Sequence, residues 1–328
     1  MSGNIPSMTT FPLRCITLLF ALACAPCAAQ TFPAKPVRVI VPTSPGGLID
    51  IVTRLVAQKM SEQMGQVAVV ENRSGASTNI GTEAVARAPA DGYTILCTTL
   101  TLVVNPSMFS NLPFNAEKDF APVSLLAAAP YVILVHPSVP AVSIKELIAL
   151  AKARPGKLNY ASGGNGTNFH VAAELFKHQT GTQIAHVPYK GGGPALASVL
   201  GGETDITIAS LGAALPHVNS GRVRVLAITS AERSSLMPHI PTVAESGVRD
   251  YVFTSWVGAL VPAATPPAIV ATLNSIVVKA VRSPEVANRL VSDGTQIIGS
   301  SPEQFAALIR SEIPRWAKVV KAGNIQPL

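Results

Sequence analysis

Residues 37–64 read VRVIVPTSPGGLIDIVTRLVAQKMSEQM, and the pattern changes partway through. Val37–Val41 is an apolar, β-branched run of the kind that forms a buried strand. From Leu48 the apolar positions Leu48, Ile51, Val52, Leu55 and Val56 recur at helical spacing to Met64, and Gly65 follows as a stop. Between the two lies PTSPGG, residues 42–47, with two prolines, two glycines and no lysine for a phosphate. The first amides of a helix lack intrahelical partners and carry partial positive charge. Without a Cβ at Gly46 and Gly47, a small anion can approach such amides directly.

The same alternation continues along the chain. VAVVEN (67–72), a short helix TEAVARA (82–88) and the turn PADG lead into the strand YTILCTT (93–99), a βαβαβ rhythm that predicts a mostly parallel sheet covered by helices. A second unit opens near APYVILVHP (129–137) and repeats the pattern through strands at KLNYAS, IAHVPY, DITIAS and VRVLAIT. VFTSWVGALVPA (252–263) reads as a strand returning elsewhere, before three helical stretches beginning near Pro267, Ser283 and Pro302. The expected class is therefore α/β in two lobes, the first completed by the C-terminal tail. The boundaries fall at 30–128 for the first part of lobe 1, 129–250 for lobe 2, and 251–328 for the return to lobe 1.

Hydrophobic residues make up 48% of the 328 and charged residues 13%, enough for large cores and unlike a disordered chain. Residues 1–29 read as an export signal: Arg14, the apolar CITLLFALACAPCAA, then small residues before Gln30. Cys15, Cys24 and Cys27 leave with this leader, so the exported chain keeps Cys97 alone, which rules out an internal disulfide and a cysteine-based zinc site. In the strand-like YTILCTT, Cys97 reads as a buried, inert thiol. The net charge of +7 falls by one with Arg14. Lysines and arginines are scattered, with no basic-aromatic motif, which argues against nucleic acid and suits small anions.

Two further strand-to-helix junctions share the design of residues 44–50: SGGNGTNF (162–169) and YKGGGPAL (189–196). One glycine run alone serves as a tight turn. Three at equivalent points of a parallel sheet, where ligands bind beyond the carboxyl ends of the strands, suggest an anion site. Pro194 suits the first helical position. None of the three is G-x-x-x-x-G-K-[ST], and GNGTNF ends in Phe169 where a dinucleotide fingerprint requires glycine. A carboxylate is the smaller anion that facing helix ends can hold without a cation. Ser162, His170 and Asp205 are triad residue types, but YASGG has Tyr160 where the nucleophile elbow needs glycine. No H-E-x-x-H or other metal spacing occurs, so neither an enzyme nor a cofactor is expected.

At these loops the sequence resembles the Bug family, the TctC-like extracytoplasmic solute receptors of tripartite tricarboxylate transporters. The matching stretches include PGGLIDIVTRLVAQKMSEQMGQ (45–66), VVENRSGASTNIGTEAVARAPADGYT (69–94), ARPGKLNYASGGNGT (153–167), HVPYKGGGPAL (186–196) and TSAERSSLMPHIPTVAESG (229–247). The resemblance implies a type II, Venus-flytrap periplasmic binding protein with two crossovers between its lobes. It implies a monomer in the periplasm that captures a small carboxylate and passes it to membrane permease subunits; presentation to a sensor kinase is the alternative. Carried onto this chain, lobe 1 offers Ser44, Pro45, Gly46, Gly47 and Asp50, with Asn79 and Thr98 or Thr99 nearby. Lobe 2 offers Ser162, Gly164, Thr167, Tyr189, Gly191 and Asp205, and Asn168 is polar at the same helix start as Thr167. Asp50 has the alternative role of capping amides at its own helix start, since its charge opposes an adjacent anion. The segment CTTLTLVVNPS (97–107) is less glycine-rich than in the family, so Leu100 and Val103 are expected to narrow the cleft. Phe169 is expected to face the ligand, and Ala209 and Ser210 to border its distal end.

Overall fold

The structure is a computed structural model that describes Gly3, residues 32–322 and Ile325. The expected leader, residues 1–29, lies outside the described residues apart from Gly3. All helices and strands among the described residues belong to the compact unit Lys35–Leu328.

Strand β1 (Val37–Val41) leads through the glycine turn into α1 (Leu48–Met64). Gly65 ends α1 in the left-handed conformation at φ 64°, its N–H donating to the Ser61 carbonyl, where a side chain would be strained. Then come β2 (Ala68–Asn72), a single 3₁₀ turn at Ala76–Thr78, α2 (Asn79–Ala86), β3 (Thr94–Thr99) and α3 (Thr101–Met108). Helix α2 starts three residues before the TEAVARA stretch. Helix α3 has no counterpart in the sequence reading: Thr101 to Asn105 are all buried, so its sequence lacks the polar face that gives a helix its period. Leu100 and Val103 are wholly buried in the core and do not narrow the cleft, contrary to expectation.

The 16-residue strand β4 (Phe120–Val135) joins two sheets. After it follow α4 (Ile144–Ala153), β5 (Asn159–Ser162), α5 (Asn168–Thr180), β6 (Ala185–Pro188), α6 (Gly192–Leu200), β7 (Ile206–Ser210), α7 (Leu211–Asn219) and β8 (Arg224–Ile228). Pro194 is the third residue of α6, not the first; its missing N–H is still among those without an intrahelical partner. Strand β9 (Thr254–Pro262) returns to the first sheet, and α8 (Pro267–Val281), α9 (Pro284–Ser292), β10 (Gln296–Ile297) and α10 (Pro302–Ala322) complete the chain.

In the first sheet β2, β1 and β3 run parallel, with Val39 opposite both Val70 and Ile95, and β9 pairs antiparallel with β3 and with the first part of β4. In the second, β6, β5 and β7 run parallel, while the last residues of β4 pair antiparallel with β7 and β8. The change of partner falls at one bond of β4: Pro130 pairs with Thr254, Tyr131 with Ser210. Thr229 ties the crossover. Its hydroxyl lies 2.9 Å from the Tyr131 amide nitrogen, 3.0 Å from the Tyr131 carbonyl and 2.8 Å from the Phe253 carbonyl.

Candidate functional site

Cys97 is 3% exposed, and burial pushes its thiol up to about 11, which keeps it protonated and unreactive. The chemistry lies instead at the carboxyl ends of the parallel strands. There the turns after β1, β5 and β6 face a cavity of 970 Å³.

On the first wall, Gly47 caps α1 in an extended conformation (φ −84°, ψ 170°) with no side-chain hydrogen bond to the helix amides, and Gly46 adopts φ 91°. Asp50 stands behind this turn. Its carboxylate accepts from Gly46 N–H (3.0 Å), from Asn72 Nδ2 (2.9 Å) and from Arg54 Nε (3.0 Å), so the charge is already matched. Burial works to raise its pKa, but the hydrogen bonds from Arg54, Asn72 and Gly46 prevail and hold it below the ordinary value. The adjoining loop is strained: Ala76, Ser77 and Thr78 take φ of 44°, 56° and 77°. Asn105 Nδ2 donates to the Ser77 carbonyl (2.8 Å) and Thr82 Oγ1 to that of Thr78 (2.9 Å), holding the loop against the cavity.

On the second wall, Thr167 caps α5 by backbone alone, since its hydroxyl donates to the Gly164 carbonyl (2.6 Å). Gly191 caps α6 at φ 117° with no side-chain hydrogen bond to the helix. Histidines brace the turn from beneath: His170 Nδ1 accepts from Gly166 N–H (3.1 Å), and Ser162 Oγ lies 2.6 Å from His186 Nε2. The two imidazoles stack at 4.4 Å, and Tyr160 stacks on His186 at 4.7 Å. Burial lowers His170 to about 4 and His186 to about 3, so both are neutral at pH 7. The close Ser162–His186 pair is no nucleophile: Ser162 is fully buried and does not line the cavity.

The walls touch. Ser44 Oγ donates to the Lys190 carbonyl (2.6 Å), and a Cβ added to Gly191 would lie 2.9 Å from that of Ser44. Asn168 Nδ2 lies 3.0 Å from Thr99 Oγ1, 3.0 Å from the Tyr131 hydroxyl and 2.5 Å from Ser255 Oγ, linking α5 to β3 and both crossover strands. The Asn168 Oδ1 and Thr101 Oγ1 atoms are buried without a hydrogen-bond partner, and both residues line the cavity. Buried polar atoms left open in this way are points where a ligand or water can bond.

Of the residues singled out from the sequence, Ser44, Gly46, Gly47, Thr99, Gly164, Thr167, Asn168, Tyr189 and Gly191 line the cavity together. Pro45 does not, although its carbonyl lies 3.9 Å from where Gly193 would carry a Cβ. Asp50 and Ser162 stand behind their turns. Thr98 is wholly buried, because side chains alternate along β3 and Thr99 takes the cavity face. Asn79 is buried outside the lining, where its Oδ1 accepts from Asn105 Nδ2 (2.8 Å). Asp205 belongs at the wrong end of its strand. It precedes β7, whose far end carries Ser210 on the cavity, and its carboxylate accepts from Asn159 N–H (2.8 Å). Thr101, Tyr131, Ser77 and Thr78 line the cavity without having been singled out, as do Leu196 and Leu200, whose spacing reads simply as helix core.

Two α/β lobes joined by crossover strands, with a cavity at the strand ends and uncapped helix amides facing it, define a solute-binding protein of the periplasmic type. Residues 52–325 match the family described as tripartite tricarboxylate transporter family receptor. The chain belongs to that family, which consists of solute-binding receptors and not enzymes. BugT of Bordetella pertussis is 38% identical over 299 residues, covering 90% of this chain and 92% of BugT. An R. palustris protein solved with adipate is 38% identical with a TM-score of 0.87, covering 90% of this chain and all of that one. MatC from Rhodopseudomonas palustris, with bound malate, is 31% identical with a TM-score of 0.85, covering 88% of this chain and all of MatC. Among the described residues, no helix is long and apolar enough to cross a membrane.

Proposed function

We propose that this protein is an exported, periplasmic receptor that captures an organic carboxylate between its lobes and delivers it to the permease of a tripartite transporter. The observation that carries this reading is the meeting of glycine turns from both lobes across one cavity, with Ser44 on one side and Gly191 on the other. Amides at the starts of α1, α5 and α6 supply preorganised donors, and the Thr101 hydroxyl, which has no protein hydrogen-bond partner, adds a neutral one. Fixed dipoles of this kind replace the water that a carboxylate gives up on entry, a loss that is otherwise prohibitive. Micromolar affinity needs about 8 kcal/mol net, within reach of several charge-assisted hydrogen bonds of roughly 1.5–3 kcal/mol each after ordering costs. The bound adipate and malate of the two R. palustris relatives support the carboxylate class.

The test is thermal denaturation of the purified protein against a panel of carboxylates and neutral analogues. At 100 times its dissociation constant a true ligand adds about 2.7 kcal/mol of stability. Gly47→Val is the informative variant: the backbone there is extended and an added Cβ meets nothing within 4 Å, so the fold tolerates it while the side chain projects over the amides. Retention of full carboxylate binding by Gly47→Val rules out the amide cradle at α1. Delivery is tested by capturing the ligand-loaded receptor on permease-containing membranes; equal capture without ligand argues against it.

A further inference from the structure

Beyond the turns, the cavity changes character. It follows α6 from Gly192 in the first turn to Leu200 at the end, about 12 Å at helical rise. Leu196 and Leu200, four residues apart and therefore on one face, line this run. Ile51 from α1 and Ala213 from α7 also line the cavity, and Phe169 contributes a ring packed edge-on to Tyr131 at 5.6 Å. Among the described residues lining the cavity there is no arginine, aspartate or glutamate. Its charged or titratable side chains besides Tyr131 and Tyr189 are Lys190, which is exposed, and His217, half-buried on α7. Polar atoms left open on lining residues are Thr43 Oγ1 in the turn after β1, Asn168 Oδ1 at the start of α5 and Thr101 Oγ1 at the start of α3, and none of these belongs to α6 or α7. At 970 Å³ the cavity is at the upper end of small-molecule sites, far more than a four-carbon diacid fills.

We infer that the ligand is an amphipathic monocarboxylate, a single carboxylate carrying an aliphatic or aryl body of roughly six to eight carbons, and not a short dicarboxylate. The inference rests on the receptor reading above and adds the chemistry of the distal end. A second carboxylate at that end would lie against Leu196 and Leu200, with the half-buried His217, one turn beyond Ala213, as the titratable side chain nearest that residue on α7, and would lose its hydration with no amide cradle to replace it. An apolar body there instead covers the half-buried Leu200 and is itself withdrawn from water, a contribution that grows with each carbon.

Calorimetric titration of the purified protein with straight-chain monocarboxylates from butanoate to octanoate, with 3-phenylpropanoate, and with the matching dicarboxylates from succinate to suberate separates the cases. The expected result is about fourfold tighter binding per methylene in the monocarboxylate series. Suberate is expected to bind at least tenfold weaker than octanoate. Leu200→Gln is expected to flatten the series, weakening octanoate most, and the wild-type series stands by itself if that variant misfolds. Dicarboxylates binding tighter than monocarboxylates of equal length, with the advantage lost in His217→Leu, would overturn the inference and leave the receptor reading intact. No binding by any carboxylate overturns both.

Discussion

Gly191 is one of the residues at which the two lobes meet. Its φ of 117° is open to glycine and strained for other residues, and a Cβ there would press on Ser44. Gly191→Val is therefore expected to abolish ligand binding and to lower stability as well, unlike Gly47→Val, which separates the two effects; parallel titration and urea denaturation check the contrast. Ser77 presents the opposite situation, a side chain on left-handed backbone (φ 56°) within a loop that faces the cavity. Ser77→Gly is expected to raise stability by up to about 1 kcal/mol by removing that strain, read from the urea midpoint. The sequence exposed the glycines at 46, 47, 164 and 191 because a missing side chain at a strand-to-helix junction is itself a signal. It concealed Thr101, which sits among the apolar Leu100, Leu102, Val103 and Val104, and it misplaced Asp205, because sequence order does not show which end of β7 faces the cavity.

At the level of elements, α10 closes the first lobe. Phe305, fully buried, lies under β9 where Gly258 leaves room, since a Cβ on Gly258 would collide with the ring. Farther along, Trp316 is 1% exposed and donates from Nε1 to Glu312 (2.6 Å). Trp316→Ala is expected to cost roughly 3–5 kcal/mol, both for the cavity it leaves and for the buried Glu312 carboxylate deprived of a partner. Chemical denaturation checks this, and a loss below 1 kcal/mol would show that α10 does not anchor the lobe. The helical stretches beginning near Pro267, Ser283 and Pro302 were legible because each opens on proline, which suits a first helical turn. Helix α3 was not, because Thr101 to Asn105 are all buried and Pro106, ordinarily a helix breaker, lies within it.

For the whole molecule, the paired histidines set a pH dependence. Both have folded pKa values, about 4 and about 3, below the usual 6.5, so the unfolded chain binds more protons between those limits. Stability is therefore full above pH 6.5, falls as pH drops toward 4, and levels off below the folded values; His170 accounts for up to about 3 kcal/mol of this. Urea midpoints measured from pH 7 to 4 should show the fall, shallower in His170→Gln. The crossover makes a second demand on the whole fold. Thr229→Val removes the hydroxyl that binds Tyr131 and Phe253 and is expected to cost roughly 1–3 kcal/mol, with broadened lobe separation in small-angle scattering.

What the sequence determined by itself is local: the strand-to-helix alternation, the glycine junctions, and the exclusion of phosphate and triad motifs. These depend on short-range periodicity and on backbone freedom, which a linear pattern records. Only the tertiary structure decided which turns meet, which face of α6 borders the cavity and which polar atoms are left open. Those depend on the register of β4 across two sheets, where one residue, from Pro130 to Tyr131, transfers the chain from one set of partners to another.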